Sequence, residues 1–217
     1  MTDLFFRRPF MRCRRTSLLA AVVLGCVLAA GGCTSEADLY PKARCGDKAL
    51  TDTKRDAPKI LALAPEGISD VEGRFYENTS TMYQAECYVS DGEGNGFLTG
   101  SAVYYSGKEN NPGRSPEHFF NEKNFKGTLR KVTSSDDAVA GVSGRGSAGV
   151  WGPCSLHEST GFRPGAMIAT ISASSAPNGG NVKQRQNAAD LALSLLRYAM
   201  KQCDEPLTLP KGVKVER

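Results

Sequence analysis

Two histidines, His118 and His157, are the only side chains of this chain whose ordinary ionisation falls near neutral pH. His157-Glu158-Ser159 sets a base, a carboxylate and a hydroxyl side by side, but strand neighbours point to opposite faces and a catalytic triad is a spatial arrangement. Neither a Gly-x-Ser-x-Gly elbow nor a His-Glu-x-x-His helix occurs. Asp91, Glu93 and Asn95 place oxygen donors at the first, third and fifth positions of a segment with Gly96 at the sixth, the spacing that opens a calcium loop. The twelfth position, where a bidentate carboxylate closes such a loop, is Ala102, so these residues read first as a turn and only secondarily as an ion site. Gly144-Arg-Gly-Ser-Ala-Gly149 meets a Gly-x-Gly-x-x-Gly pattern without the strand and helix that give it phosphate-binding meaning. No cofactor is expected.

The elements that carry these residues are mostly strands. Over residues 81–90, Tyr83, Ala85, Cys87 and Val89 alternate with polar positions, and residues 97–105 form a second aromatic and β-branched run. The glycine-rich segment between them predicts a hairpin. Further strands are predicted over 127–133, 138–142, 148–157 and 166–172, with short helices over 48–63, despite Pro58, and 115–123. The strongest helix covers 181–203, where Ala188, Leu191, Ala192, Leu195, Leu196, Ala199 and Cys203 make an apolar stripe opposite Arg185, Asp190, Ser194, Arg197 and Lys201. Asn181 is placed to cap it. The expected fold class is α+β: an antiparallel sheet of about five to six strands with the long C-terminal helix packed on one face, in two layers.

The first thirty-three residues set the compartment. Arg7, Arg8, Arg12, Arg14 and Arg15 precede an uncharged apolar run over residues 18–30, and small residues lead to Cys33. Thirteen apolar residues fall short of the roughly 20 that span a bilayer as a helix. Ala30-Gly31-Gly32-Cys33 resembles the lipobox of bacterial lipoproteins, although Ala30 stands where that motif usually has Leu. Arg7-Arg8-Pro9-Phe10-Met11-Arg12 partly matches the twin-arginine export motif, with Phe6 in place of Ser or Thr, and leaves the general secretory route open. The chain thus resembles actinobacterial lipoproteins. The resemblance implies a cleaved signal over 1–32, a diacylglyceryl thioether on Cys33 beside an amino terminus that carries a further acyl chain such as palmitate, and a domain lipid-anchored on the extracytoplasmic face of the cell membrane.

Cutting at Cys33 changes the composition. Of 27 basic and 23 acidic residues, residues 1–32 hold five arginines and one aspartate, so the net charge of +4 vanishes and 22 of each sign remain. With that excess goes any composition argument for nucleic-acid binding, which needs concentrated Lys and Arg, and no nucleic acid is expected as a partner. Residues 33–44 read as the lipidated terminus and a short linker, 45–205 as one domain, and 206–217 as a loosely held tail. The domain keeps Cys45, Cys87, Cys154 and Cys203, an even set in an oxidising compartment, which predicts two disulfides rather than a metal site. Three pairings are possible. Cys87 and Cys154 share an inward parity, which favours joining them and leaves Cys45 to Cys203.

Tyr88, Tyr104 and Trp151 fall on the parity opposite the inferred core and are the candidate partner-binding residues on an outer sheet face. The expected function is a non-catalytic binding or envelope-interaction module with the membrane and an envelope protein or ligand as partners. Two alternatives are a cell-surface hydrolase using His157 or His118, and a small-solute binding lipoprotein.

Overall fold

A computed structural model describes residues 35–79, 83–106, 120, 125, 127–135, 137–158, 161–174, 181–205 and 207–216. The predicted helix over 115–123 lies outside these residues except for Phe120. Eight strands form one antiparallel sheet: β1 (Val71–Asn78), β2 (Gln84–Asp91), β3 (Gly96–Tyr105), β4 (Arg130–Thr133), β5 (Ala140–Gly144), β6 (Ser147–Glu158), β7 (Gly161–Ala173) and β8 (Lys214–Val215). Their spatial order is β1-β2-β3-β7-β6-β5-β4-β8. The helices are α1 (Glu36–Leu39), α2 (Ala57–Leu61) and α3 (Val182–Ala199), the last running into a short 3-10 turn over Met200–Gln202.

Eight strands replace the five to six expected, and the two additions have different origins. In β1 the inward positions are Val71, Gly73, Phe75 and Glu77, so a glycine and a carboxylate break the apolar rhythm. Gly73 has a steric cause, because a Cβ there would overlap the carbonyl of Arg44, whose segment crosses the strand at that point. Strand β8 has only two residues, too few to show a period. It pairs with β4, and Val213 and Val215 are buried, so the tail expected to hang loosely is part of the fold. The Gln186 side chain fastens it at both ends, donating to the Val213 carbonyl at 2.7 Å and accepting from the Val215 amide at 3.1 Å.

The inner face carries the core. Alternation puts Ala85, Cys87 and Val89 of β2, Leu98, Gly100, Ala102 and Tyr104 of β3, Ala148 and Val150 of β6, and Met167, Ala169 and Ile171 of β7 on one side. Helix α3 contacts β3, β5, β6, β7 and β8, and Leu191, Leu195 and Leu196 are fully buried in the shared cluster. Burying each such side chain is worth about 1.5–3 kcal/mol. Asn181 caps α3 as expected, its side-chain oxygen accepting from the Gln184 amide at 2.9 Å.

Ser194, predicted to face water, is instead buried and donates to Asp56 Oδ1 at 3.0 Å. Asp56 is fully buried, its charge met by both arms of the adjacent Arg55 at 2.8 Å, and the Ser194 hydroxyl ties this start of α2 to α3. The helix expected over 48–63 is thus the five residues of α2, with Pro58 in its first turn, where a missing amide costs nothing.

Both disulfides are present with a pairing other than the one parity favoured: Cys45–Cys87 and Cys154–Cys203. Cys87 and Cys154 do both point inward, but β3 and β7 stand between their strands. Cys87 instead meets the N-terminal segment that covers β1 and β2, and Cys154 meets the chain just after α3. Equal facing fixes the side of a sheet, and the strand order decides the neighbour.

Candidate outer-face binding surface

Outer-face residues fall into two groups. Over β5, β6 and β7 the face is covered: Phe120 and Phe125 lie on it with Tyr105 and Ile168 in a second buried cluster, flanked by Val103, Val142 and Trp151. Phe120 stacks on Trp151 with ring centres 5.2 Å apart and planes at 18°. It meets Phe125 edge-on at 5.4 Å. Gly149 makes this possible, since a Cβ at that position would overlap the Phe120 ring.

Over β1 and β2 the outer face is open. Glu72, Arg74, Tyr76 and Asn78 of β1 stand beside Gln84, Glu86, Tyr88 and Ser90 of β2, with Arg74 opposite Tyr88 and Tyr76 opposite Glu86. Tyr76 is 54% exposed and Tyr88 41%, and their rings meet edge-on across the diagonal at 5.9 Å. Polar groups hold the rings in place. Tyr88 donates its hydroxyl to Glu86 Oε2 at 2.6 Å, Gln84 donates to the other Glu86 oxygen at 2.9 Å, and Arg74 donates to Glu72 at 3.2 Å. The Glu86 hydrogen bond raises the Tyr88 phenol above its ordinary value, and Glu72 raises the Arg74 guanidinium. The two tyrosines, Arg74, Glu86 and Ser90 line a shallow cleft of about 560 Å³ that ends at Gly94 and Gly96 of the β2–β3 turn.

The candidate residues named from sequence are therefore scattered. Tyr88 is on the open surface. Trp151 is on the outer face but lies beneath Phe120, and Tyr104 is 3% exposed on the inner face, beside Gly165 and in the main core. Strand β3 carries large residues on both faces, so parity alone does not name the core side of Tyr104. Arg74 and Tyr76 belong to β1, which no clean period announces, and Glu86 is a polar outer position of β2 whose role depends on its neighbours Tyr88 and Gln84. The alternation of Glu72, Arg74, Tyr76 and Asn78 was the available signal.

Asp91, Glu93 and Asn95 form the hairpin turn. Asp91 Oδ1 accepts from the Glu93 amide at 3.0 Å and the Asn95 amide at 2.8 Å, and Gly94 takes a φ of 86°. The Asn95 side chain and these amides hold the Asp91 carboxyl below its ordinary range, so its lone pairs already serve the turn. Among the described residues no three His, Cys, Asp or Glu side chains gather closely enough to hold a metal. Gly144 to Ser147 is the tight turn between β5 and β6, with Gly146 at a φ of 67°. His118, Ser159 and the side chains of His157 and Glu158 lie outside the described residues, as does Cys33. No described helix is long and apolar enough to cross a membrane.

On the inner side of the same open half, Glu77 of β1 gathers polar groups from two other segments. Its carboxylate accepts from the Tyr198 hydroxyl at 3.1 and 3.2 Å and pairs with Lys48 at 3.1 Å. Burial, then the Glu77 contact, pushes the Tyr198 phenol up to about 12. Burial likewise raises Tyr83 nearby. These contacts tie β1, α3 and the N-terminal segment together. Comparison with known proteins finds no matching family model, no matching curated protein and no matching solved structure.

Proposed function

We propose that this chain is a lipoprotein anchored through Cys33 on the extracytoplasmic membrane face, acting as a non-catalytic module that binds an envelope partner. The observation that carries the binding site is the exposed Tyr76–Tyr88 pair, held by Glu86 and set in a cleft on the uncovered half of the sheet. Aromatic rings with a polar end supply apolar contact area at little entropic cost, which suits them to recognition surfaces. In the two-layer arrangement, α3 and the N-terminal segment occupy the inner face, and the Phe120–Phe125 cover occupies half of the outer one. The open half is what a partner meets. The basic start, the short apolar run and Cys33 support the anchor, and only a short stretch of sequence separates Cys33 from Leu39, the first buried side chain among the described residues. The bound partner is therefore held close to the membrane surface.

Two measurements test this. Incorporation of an alkyne fatty acid should vanish in Cys33→Ala, which should also release the protein from the membrane fraction; unchanged incorporation removes the anchor. A photo-crosslinking residue placed at Ser90 should give an adduct on intact cells that is lost in the Tyr76→Ala, Tyr88→Ala double variant. An adduct indifferent to both substitutions in a folded domain removes the site.

A further inference from the structure

On the covered half of the outer face, a second cleft of about 300 Å³ lies between the sheet and the two phenylalanines. Val103, Ile168, Phe120 and Phe125 supply its apolar surface, while Ser101, Ser147, Thr170 and Ser172 bring hydroxyls from three adjacent strands. Its size is at the small end of the roughly 300–1,000 Å³ range of ligand pockets, and an apolar lining with a few converging polar groups is their usual composition. No charged side chain is among the described lining residues.

One atom in this lining is unexplained by the fold. Ser147 is 3% exposed, and its Oγ is buried with no hydrogen-bond partner. Alternation along β6 puts Ser147 on the same face as Gly149 and Trp151, toward the cleft. Buried hydroxyls nearly always have a partner, and leaving one without is unfavourable unless something else supplies it. The aromatic wall is also built in, because Gly149 is the residue that lets Phe120 lie flat on the sheet.

We propose that this cleft binds a small uncharged molecule with an aromatic or alicyclic body and one hydrogen-bond acceptor, which takes the Ser147 proton. The body lies between Ile168 and the Phe120 and Phe125 rings. A carboxylate or ammonium group is disfavoured, because it would lose its hydration and none of the described lining residues supplies a counter-charge. This site is separate from the Tyr76–Tyr88 surface and does not depend on it.

Trp151 is the only tryptophan and stacks on the cleft's own wall, so its emission reports occupancy. The full chain in nanodiscs of zwitterionic phospholipid, with empty discs as blank, is titrated with benzamide, cyclohexanecarboxamide and benzoate. The two amides should change Trp151 emission saturably with dissociation constants of about millimolar, as befits fragments of this size. Benzoate should bind about ten-fold more weakly or not at all. Ser147→Ala should weaken benzamide about ten-fold. Val103→Phe, which fills the cleft, should abolish binding, with Thr170→Leu as the replacement if that variant does not fold. No saturable change with either amide up to its solubility limit, equal binding of benzoate, or affinity unaltered by Ser147→Ala and the filling substitution would each overturn the proposal.

Discussion

The two halves of the outer sheet face start from similar chemistry and end differently. Over β1 and β2, Tyr76 and Tyr88 stand in solvent with their hydroxyl ends among Glu86, Gln84 and Arg74. Over β6 and β7, Trp151 and Ile168 are covered by Phe120 and Phe125. What separates them is the small residue: Gly149 leaves room for a ring to lie on the sheet, whereas β1 and β2 carry a long polar or aromatic side chain at nearly every outer position. A cover over one half only makes the other a surface by default. The inner face is backed in two parts as well, β1 and β2 by the N-terminal segment through Cys45–Cys87, the middle of the sheet by α3 and Cys154–Cys203.

The largest effect is expected at the disulfides. They span 42 and 49 residues, so the chain-entropy model gives each about 4 kcal/mol. Replacing either pair by alanine should lower unfolding free energy by similar amounts in urea titrations, and a clear inequality would show that the two halves are not equally secured. Next comes Phe120→Ala, which should cost about 3 kcal/mol and shift Trp151 emission to the red as water reaches the indole. Unchanged emission would mean that Phe120 does not cover this half. Gly149→Ala attacks the same contact from the sheet side and should cost about 2 kcal/mol by forcing the ring away.

A smaller effect depends on pH. Because the folded Tyr198 phenol titrates near 12 against an ordinary 10.0, the unfolded chain gives up that proton first. Its stabilising contribution is complete below pH 10 and is lost as pH rises toward 12. Denaturation midpoints measured across that window should fall less steeply in Tyr198→Phe. Least costly of all, Tyr76→Ala and Tyr88→Ala should change stability by less than about 0.5 kcal/mol each, since both rings are exposed. A large loss there would make the open half structural, in contrast to a surface kept for a partner.

The legible parts of the fold are those with a clean period. Helix α3 shows its 3.6-residue stripe and its Asn181 cap, and β2 shows strict alternation ended by a turn-forming Asp91-Gly92. Strand β1 was hidden because Gly73 accommodates a crossing backbone and Glu77 bonds Tyr198, both of which require partners distant in sequence. Ser194 looked solvent-facing until Asp56, 138 residues away, supplied its acceptor. The outward facing of Tyr88 follows from alternation in β2. Trp151 had the right facing and a cover that no local pattern reveals.

From residue order alone come the basic start and short apolar run before Cys33, the balanced charge beyond it, the even cysteine set, the main strands and the C-terminal helix. Each follows from local chemistry or short-range periodicity. Tertiary structure alone decided which cysteines meet, that the last residues join the sheet, that Tyr104 lies in the core, and which half of the outer face stays open. Those outcomes depend on strand order and on long-range neighbours, and period-2 alternation tells which side a residue faces without telling what lies there.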